Sequence, residues 1–155
     1  MSTPHFTDEP HPDHPGWHRW RFADETRYNS LFGELMVRLE CGAARVRMVP
    51  ERRHSNLGDR VHGGAILGFV DQALFVAARS LDLIPIGRAL TIDLTTHFVG
   101  AGAIDRPLDA VVEVTRETGK LLFLRGLVVQ GDDTIADFSG TIKKPSDPKS
   151  SSPRA

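Results

Sequence analysis

Residues Asn56 to Leu81 read NLGDRVHGGAILGFVDQALFVAARSL, and this stretch decides the architecture. It opens as a polar, glycine-punctuated turn. It continues as an apolar run, Ala65 to Ala78, interrupted only by Gly68, Asp71 and Gln72. A helix starting at the glycines and running to about Leu81 spans roughly 18 residues, or about 27 Å. Such a helix is apolar all round, so in a globular chain it must be wrapped by other structure. Asp71 lies in the middle of this run, where a carboxylate is costly to bury unless it has a partner or a chemical task.

The flanking segments supply the wrapping. On the N-terminal side, Asp24 is placed to cap a short helix through Phe32, with Gly33 to end it. Leu35–Glu40 and Ala44–Val49 alternate apolar and polar residues around Gly42, predicting a hairpin that Pro50 terminates. On the C-terminal side everything reads as strand. In Leu90–Phe98, the residues Leu90, Ile92, Leu94 and Phe98 are expected on one face, with Thr91, Asp93, Thr95 and His97 on the other. Leu108–Thr115, Leu121–Gln130 and Thr134–Lys143 follow, separated by the turns Glu117–Lys120 and Gly131–Asp133. The predicted class is α+β, one curved antiparallel sheet around one long central helix, because that arrangement meets every burial demand at once. The absence of βαβ alternation argues against a doubly wound parallel sheet.

Composition sets the outer bounds. The 155 residues suffice for one domain, with 40% apolar and 25% charged residues. Residues 1–16 are rich in proline, histidine and acid and are expected to be a disordered arm. Residues 17–144 form the single domain, and 145–155 are expected to be a disordered tail. The histidines of the arm are irregularly spaced among prolines, so no metal site is assigned. A net charge of −1 carries no bulk field for nucleic acid or membrane. No stretch approaches the roughly 18 apolar residues of a membrane span, and no secretory signal is evident. The single cysteine, Cys41, fits a reducing compartment, so a cytoplasmic location is expected.

The chemistry of the central stretch has two readings. Val61-His62-Gly63-Gly64 precedes the helix, so its N–H groups are free donors at the positive end of the dipole. Glycine permits a substrate to approach that backbone closely, and such a site favours negative charge developing on a carbonyl oxygen. The same glycines also serve simply to pack a helix end against a strand. Asp71 is open to both readings as well: general base or nucleophile, or a carboxylate paired for structural reasons. Distance adds a constraint. Gly63 and Asp71 are eight residues apart, roughly 12 Å along one helix. A water held by Asp71 cannot reach a carbonyl at Gly63 of the same chain, since attack needs roughly 3–3.5 Å. A catalytic reading therefore requires two copies, with the helix start of one beside the aspartate of the other.

Asn56, His62-Gly63-Gly64, Asp71 on the following helix and the strand Leu90-Thr91-Ile92-Asp93-Leu94 together resemble the PaaI-type branch of the hotdog-fold acyl-CoA thioesterases. The likeness extends from about Phe32 to Lys144. It implies the hotdog fold and hydrolysis of an acyl-CoA thioester, with coenzyme A entering as part of the substrate and no separate cofactor. It implies that Gly63, with Gly64, gives backbone N–H to the thioester oxygen, and that Asn56 holds the substrate or polarises its carbonyl. Asp71 then activates water or attacks directly, and Thr91 orients the water, with threonine standing where serine is expected. Asn56, His62 and Gly63 would come from one subunit of a homodimer, Asp71 and Thr91 from the other, and dimers would pair further into a dimer of dimers.

His62 reads as a residue that fixes the loop, and Cys41 as structural. A thiolate leaves with little protonation, so one carboxylate and no dedicated general acid suffice. Basic residues are expected to rim the entrance for the phosphates, with Arg88, Arg116 and Lys120 as candidates beside Arg60 and Arg106. The acyl pocket is expected to draw on the segment Asp24–Phe32 and on Phe69, Phe75 and Phe98. The competing functions are a non-catalytic acyl-CoA-binding regulatory protein, a hydroxyacyl-thioester dehydratase, and a purely structural dimerisation domain.

Overall fold

An 18-residue helix, α1 (Gly63–Ser80), lies against the concave side of one sheet. The computed structural model describes residues 5–85 and 88–145. The strands are β1 (Phe6–Pro10), β2 (His18–Phe22), β3 (Leu35–Glu40), β4 (Ala43–Met48), β5 (Leu90–Phe98), β6 (Leu108–Glu117), β7 (Leu121–Gln130) and β8 (Asp133–Lys143). They pair antiparallel throughout in the order β1-β2-β3-β4-β6-β7-β8-β5. This is the hotdog architecture, with the helix as filling and the sheet curled around it.

The helix buries Ile66, Phe69, Val70, Ala73, Leu74, Val76 and Ala77 against Leu35, Val46, Ala110, Val112, Leu122 and Ile142 of the sheet. Close approach at Gly140 is obligatory, since a Cβ there would lie 2.6 Å from the Leu74 side chain. The helix is not wrapped on every side. Leu67 remains 39% exposed, and Asp71 and Phe75 lie on a half-open flank.

Three expectations are corrected. First, the chain folds well before Trp17. Phe6–Pro10 pairs with His18–Phe22, Phe6 stacks on Trp20, and Asp8 meets His18 at 2.9 Å while Glu9 meets Arg19 at 2.7 Å. One cross-strand ion pair, one cross-strand hydrogen bond and one aromatic stack stabilise a segment whose composition alone reads as disordered. Residues 1–4 and 146–155, the ends of the expected arm and tail, lie outside the described residues.

Second, Asp24–Phe32 is not an α-helix. Asp24 Oδ1 accepts from the Thr26 N–H at 3.0 Å, and only Tyr28–Phe32 forms a short 3-10 turn, ended by Gly33 at φ +69°.

Third, β5 does not alternate as its sequence suggests. Thr91 pairs with Ile142 and Asp93 with Thr141, leaving Ile92 as a bulged extra residue. The bulge resets the alternation. Thr91 and Leu94 therefore both face the helix, while Leu90 and Ile92 are 61% and 56% exposed.

Outside the sheet, the guanidinium groups of Arg38 and Arg47 both lie against the Trp17 ring, each 4.6 Å from its centre. Arg47 also binds Asp109 through two hydrogen bonds, of 2.6 and 2.8 Å, and this partner raises the Arg47 pKa above its ordinary value. The network ties the N-terminal hairpin to β4 and β6.

Candidate active site

The loop before α1 is built by its own side chains. Asn56 Oδ1 accepts from the N–H groups of Gly58 at 2.9 Å and Arg60 at 3.1 Å, and this closes a tight turn in which Asp59 adopts φ +55°. The Asn56 carbonyl oxygen is thereby committed to the loop, and its amide NH2 is left to donate outward. His54 is buried beneath. Its Nδ1 accepts from the Glu51 N–H at 2.8 Å, so Nε2 carries the proton and donates to the Leu31 carbonyl at 2.6 Å. That bond fastens the loop to the 3-10 turn.

His62 caps the helix. Its Nδ1 accepts from the Gly64 N–H at 2.8 Å, and its own N–H donates to the His54 carbonyl at 2.8 Å. The Gly64 N–H is therefore already satisfied, so the assistance expected from Gly64 falls away and Gly63 stands as the donor. Among the described residues the Gly63 N–H has no acceptor. A Cβ on Gly63 would touch only the Phe98 ring, at 3.6 Å, so packing within the chain does not require glycine there. The free donor sits at the positive end of an 18-residue helix.

Two turns along the same helix, Asp71 accepts a hydrogen bond at Oδ1 from the Thr91 hydroxyl, at 2.7 Å. The bulge in β5 aims Thr91 at this carboxylate. With Oδ1 occupied, Oδ2 remains to accept from a water. The pair opens into a cleft of about 460 Å³ whose walls include Phe6, Trp20, Phe22, Tyr28 and Phe75. At its end Asn29 donates to Gln72 at 2.5 Å. Of the residues expected to line an acyl pocket, Tyr28, Asn29 and Phe75 do so. Phe69 is fully buried core, and Phe98 lies over Gly63 instead.

Phe6, Trp20 and Phe22 escaped the sequence reading. The alternation His18-Arg19-Trp20-Arg21-Phe22 was the available signal for a strand with an aromatic face. Trp20 is placed by packing, because its indole N–H is buried without a hydrogen-bond partner among the described residues.

Within one chain the structure brings Asp71 and Thr91 together and groups Asn56, His62 and Gly63. It leaves these groups apart, with Gly63 and Asp71 roughly 12 Å from each other along the helix. The basic candidates also have places. Leu90 pairs with Lys143, which pairs in turn with Leu121, so Arg88, Lys120 and Lys143 gather at the sheet end beside Thr91. Arg116, beside the bulge of β6, lies near the same end. Arg88, Arg116, Lys120 and Lys143 are exposed and form no ion pair among the described residues. Lys143 was missed because only strand register reveals its position. Among the described residues no three metal-ligating side chains converge, and no helix is long and apolar enough to cross a membrane.

Comparison with solved structures gives the same fold. A conserved protein of Pseudomonas aeruginosa superposes with a TM-score of 0.64 at 26% identity, over 76% of this chain and 93% of that one. A hypothetical thioesterase of Streptococcus pneumoniae, solved with coenzyme A, superposes with a TM-score of 0.67 at 16% identity, over 77% and 91%. The PaaI protein of the Escherichia coli phenylacetic acid degradation operon superposes with a TM-score of 0.59 at 23% identity, over 68% and 79%. Comparison with curated proteins finds no match. The family model of the thioesterase superfamily matches residues 58–136, just over half of the chain, from the loop before Gly63 into β8. With its helix, sheet and matched segment in agreement, the chain belongs to the thioesterase superfamily.

Proposed function

We propose that the protein is an acyl-CoA thioesterase of the PaaI type, acting as a homodimer with two shared sites. The observation that carries this reading is the Asp71–Thr91 pair, 2.7 Å apart in a cleft with aromatic walls, together with a helix-start N–H at Gly63 that has no acceptor among the described residues. Asp71 Oδ2 takes a proton from a water, whose oxygen attacks the thioester carbon. The carbonyl oxygen gathers negative charge against the Gly63 N–H and the Asn56 amide of the partner chain. The C–S bond then breaks, coenzyme A leaves as a thiolate, and the proton on Asp71 passes to solvent or to the product sulfur. No cofactor enters this sequence.

β5 provides the means of pairing. It is a sheet edge with unpaired backbone groups, and it exposes Leu90, Ile92, Phe98 and the adjoining Val99. Such an edge invites pairing with a second copy. Arg88, Arg116, Lys120 and Lys143 are then available for the phosphates of coenzyme A at the sheet end beside Thr91. Assembly into a dimer of dimers is a separate expectation that sedimentation reads directly.

A dehydratase reading requires a histidine working with a carboxylate. His97 and Asp137 form such a pair at 2.8 Å. It stands six residues along β5 from Thr91, roughly 20 Å away, and outside the cleft, so it supplies no proton relay to Asp71 of its own chain. The deciding experiment is steady-state hydrolysis of acyl-CoA substrates by Asp71→Asn. The expected result is a fall in kcat of at least about a thousandfold with the circular dichroism and Tm of the parent. Hydrolysis near the parental rate would refute the proposal.

A further inference from the structure

We infer that the N-terminal hairpin β1–β2 is the specificity wall of the acyl site, and that Phe6 stacked on Trp20 sets the longest acyl chain the cleft accepts. The inference rests on the thioesterase reading of Asp71, but the observations behind it are separate. The family model begins at residue 58, so the hairpin lies wholly outside it. The hairpin nevertheless supplies Phe6, Trp20 and Phe22 to the cleft that holds Asp71 and Thr91.

The two rings of the stack differ in how firmly they are held. Trp20 is only 4% exposed and is fixed on β2 between β1 and β3. Phe6 sits on the outermost strand, half-buried, parallel to the indole at 4.3 Å with 7° between planes. The neighbouring wall is Tyr28, whose hydroxyl lies across the helix at Gly68, just 2.3 Å from where a Cβ would stand. Gly68 thus lets the wall close down on α1. Among the described residues no lysine or arginine lines the cleft, so these walls suit an uncharged hydrocarbon chain. An acyl tail growing away from Asp71 meets packed aromatic rings, and of these the half-buried Phe6 ring is the one carried by the outermost strand, at the sheet edge.

The test is the kcat/KM profile over straight-chain acyl-CoA esters from butyryl to myristoyl, for the parent, Phe6→Ala, Phe6→Leu and the control Thr7→Ala. Thr7 is exposed on the other face of the same strand. The expected result is an optimum that moves to longer chains in Phe6→Ala and less far in Phe6→Leu. Each methylene newly buried should gain about fourfold on the long side. Thr7→Ala should keep the parental optimum. An unmoved optimum in both Phe6 variants would overturn the inference while leaving the thioesterase reading intact.

If no acyl-CoA is hydrolysed by the parent, the thioesterase reading fails. The wall is then judged from the dissociation constants of S-alkyl-CoA thioethers of the same lengths. A chain-length limit that shifts in the Phe6 variants supports it, and an unshifted limit refutes it.

Discussion

Replacing Thr91 by valine removes one hydroxyl and keeps the shape of the side chain. That hydroxyl donates to Asp71 Oδ1 at 2.7 Å. Hydrogen bonds to an ionised partner contribute about 1.5–3 kcal/mol. Thr91 is exposed on an edge strand, and water can replace part of the bond, which brings the loss to about 1–2 kcal/mol. If the bond serves to hold Oδ2 toward the attacking water, the loss falls on kcat and amounts to about 5- to 30-fold. KM should change little, because the hydroxyl is already engaged before substrate arrives. Thr91→Ser keeps the donor and should stay within a few-fold of the parent. Valine suits an edge strand, so Tm should be unchanged or slightly raised. The assay is release of free coenzyme A thiol at saturating acyl-CoA. A Thr91→Val enzyme with the parental kcat, or one whose loss lies entirely in KM, would refute the positioning role.

Acid should weaken the fold partly through Glu40. Burial pushes its carboxyl up, but hydrogen bonds from Arg45 and Arg38 outweigh this and hold it below its ordinary 4.5. A depressed carboxylate contributes stability above its unfolded pKa and loses it as pH falls through the folded value. Glu40→Gln should therefore lower Tm at neutral pH and flatten the fall in Tm below about pH 4.5, as thermal melts across pH would record. Gly126→Ala should destabilise by about 2–3 kcal/mol in urea denaturation, since its Cβ would fall 2.1 Å from the Val111 carbonyl of the paired strand. Succinyl-CoA should be hydrolysed at least about tenfold less efficiently than butyryl-CoA, because its free carboxylate would enter a cleft lined by Asp71 and, among the described residues, by no lysine or arginine.

Local chemistry made the core of this fold readable. The apolar run after His62-Gly63-Gly64 predicts a helix, and α1 runs Gly63–Ser80. The alternating segments around Gly42 give β3 and β4, and the three C-terminal strands fall where their turns place them. What escaped depends on contacts between distant segments. Phe6–Pro10 is polar and proline-bounded, and becomes a strand only because His18–Phe22 supplies hydrogen-bonding and ion-pair partners and an aromatic face. The bulge at Ile92 is set by register against Thr141 and Ile142, which no periodicity in β5 announces. It nevertheless decides that Thr91 meets Asp71 rather than solvent. The helix start shows the same limit in miniature. His62-Gly63-Gly64 reads as a donor at Gly63 that Gly64 can assist, yet the His62 imidazole occupies the Gly64 N–H.

The division of the site between two chains can be read from a single mixing experiment. Gly63→Val blocks the donor end, and Asp71→Asn removes the base. Each homodimer should be nearly inactive. Unfolding and refolding an equal mixture gives about half heterodimers, each with one site built from an intact Gly63 and an intact Asp71. The shared site therefore predicts recovery to about a quarter of parental activity. Mixed dimers that remain as inactive as either variant alone, with dimer formation verified by sedimentation, would contradict it.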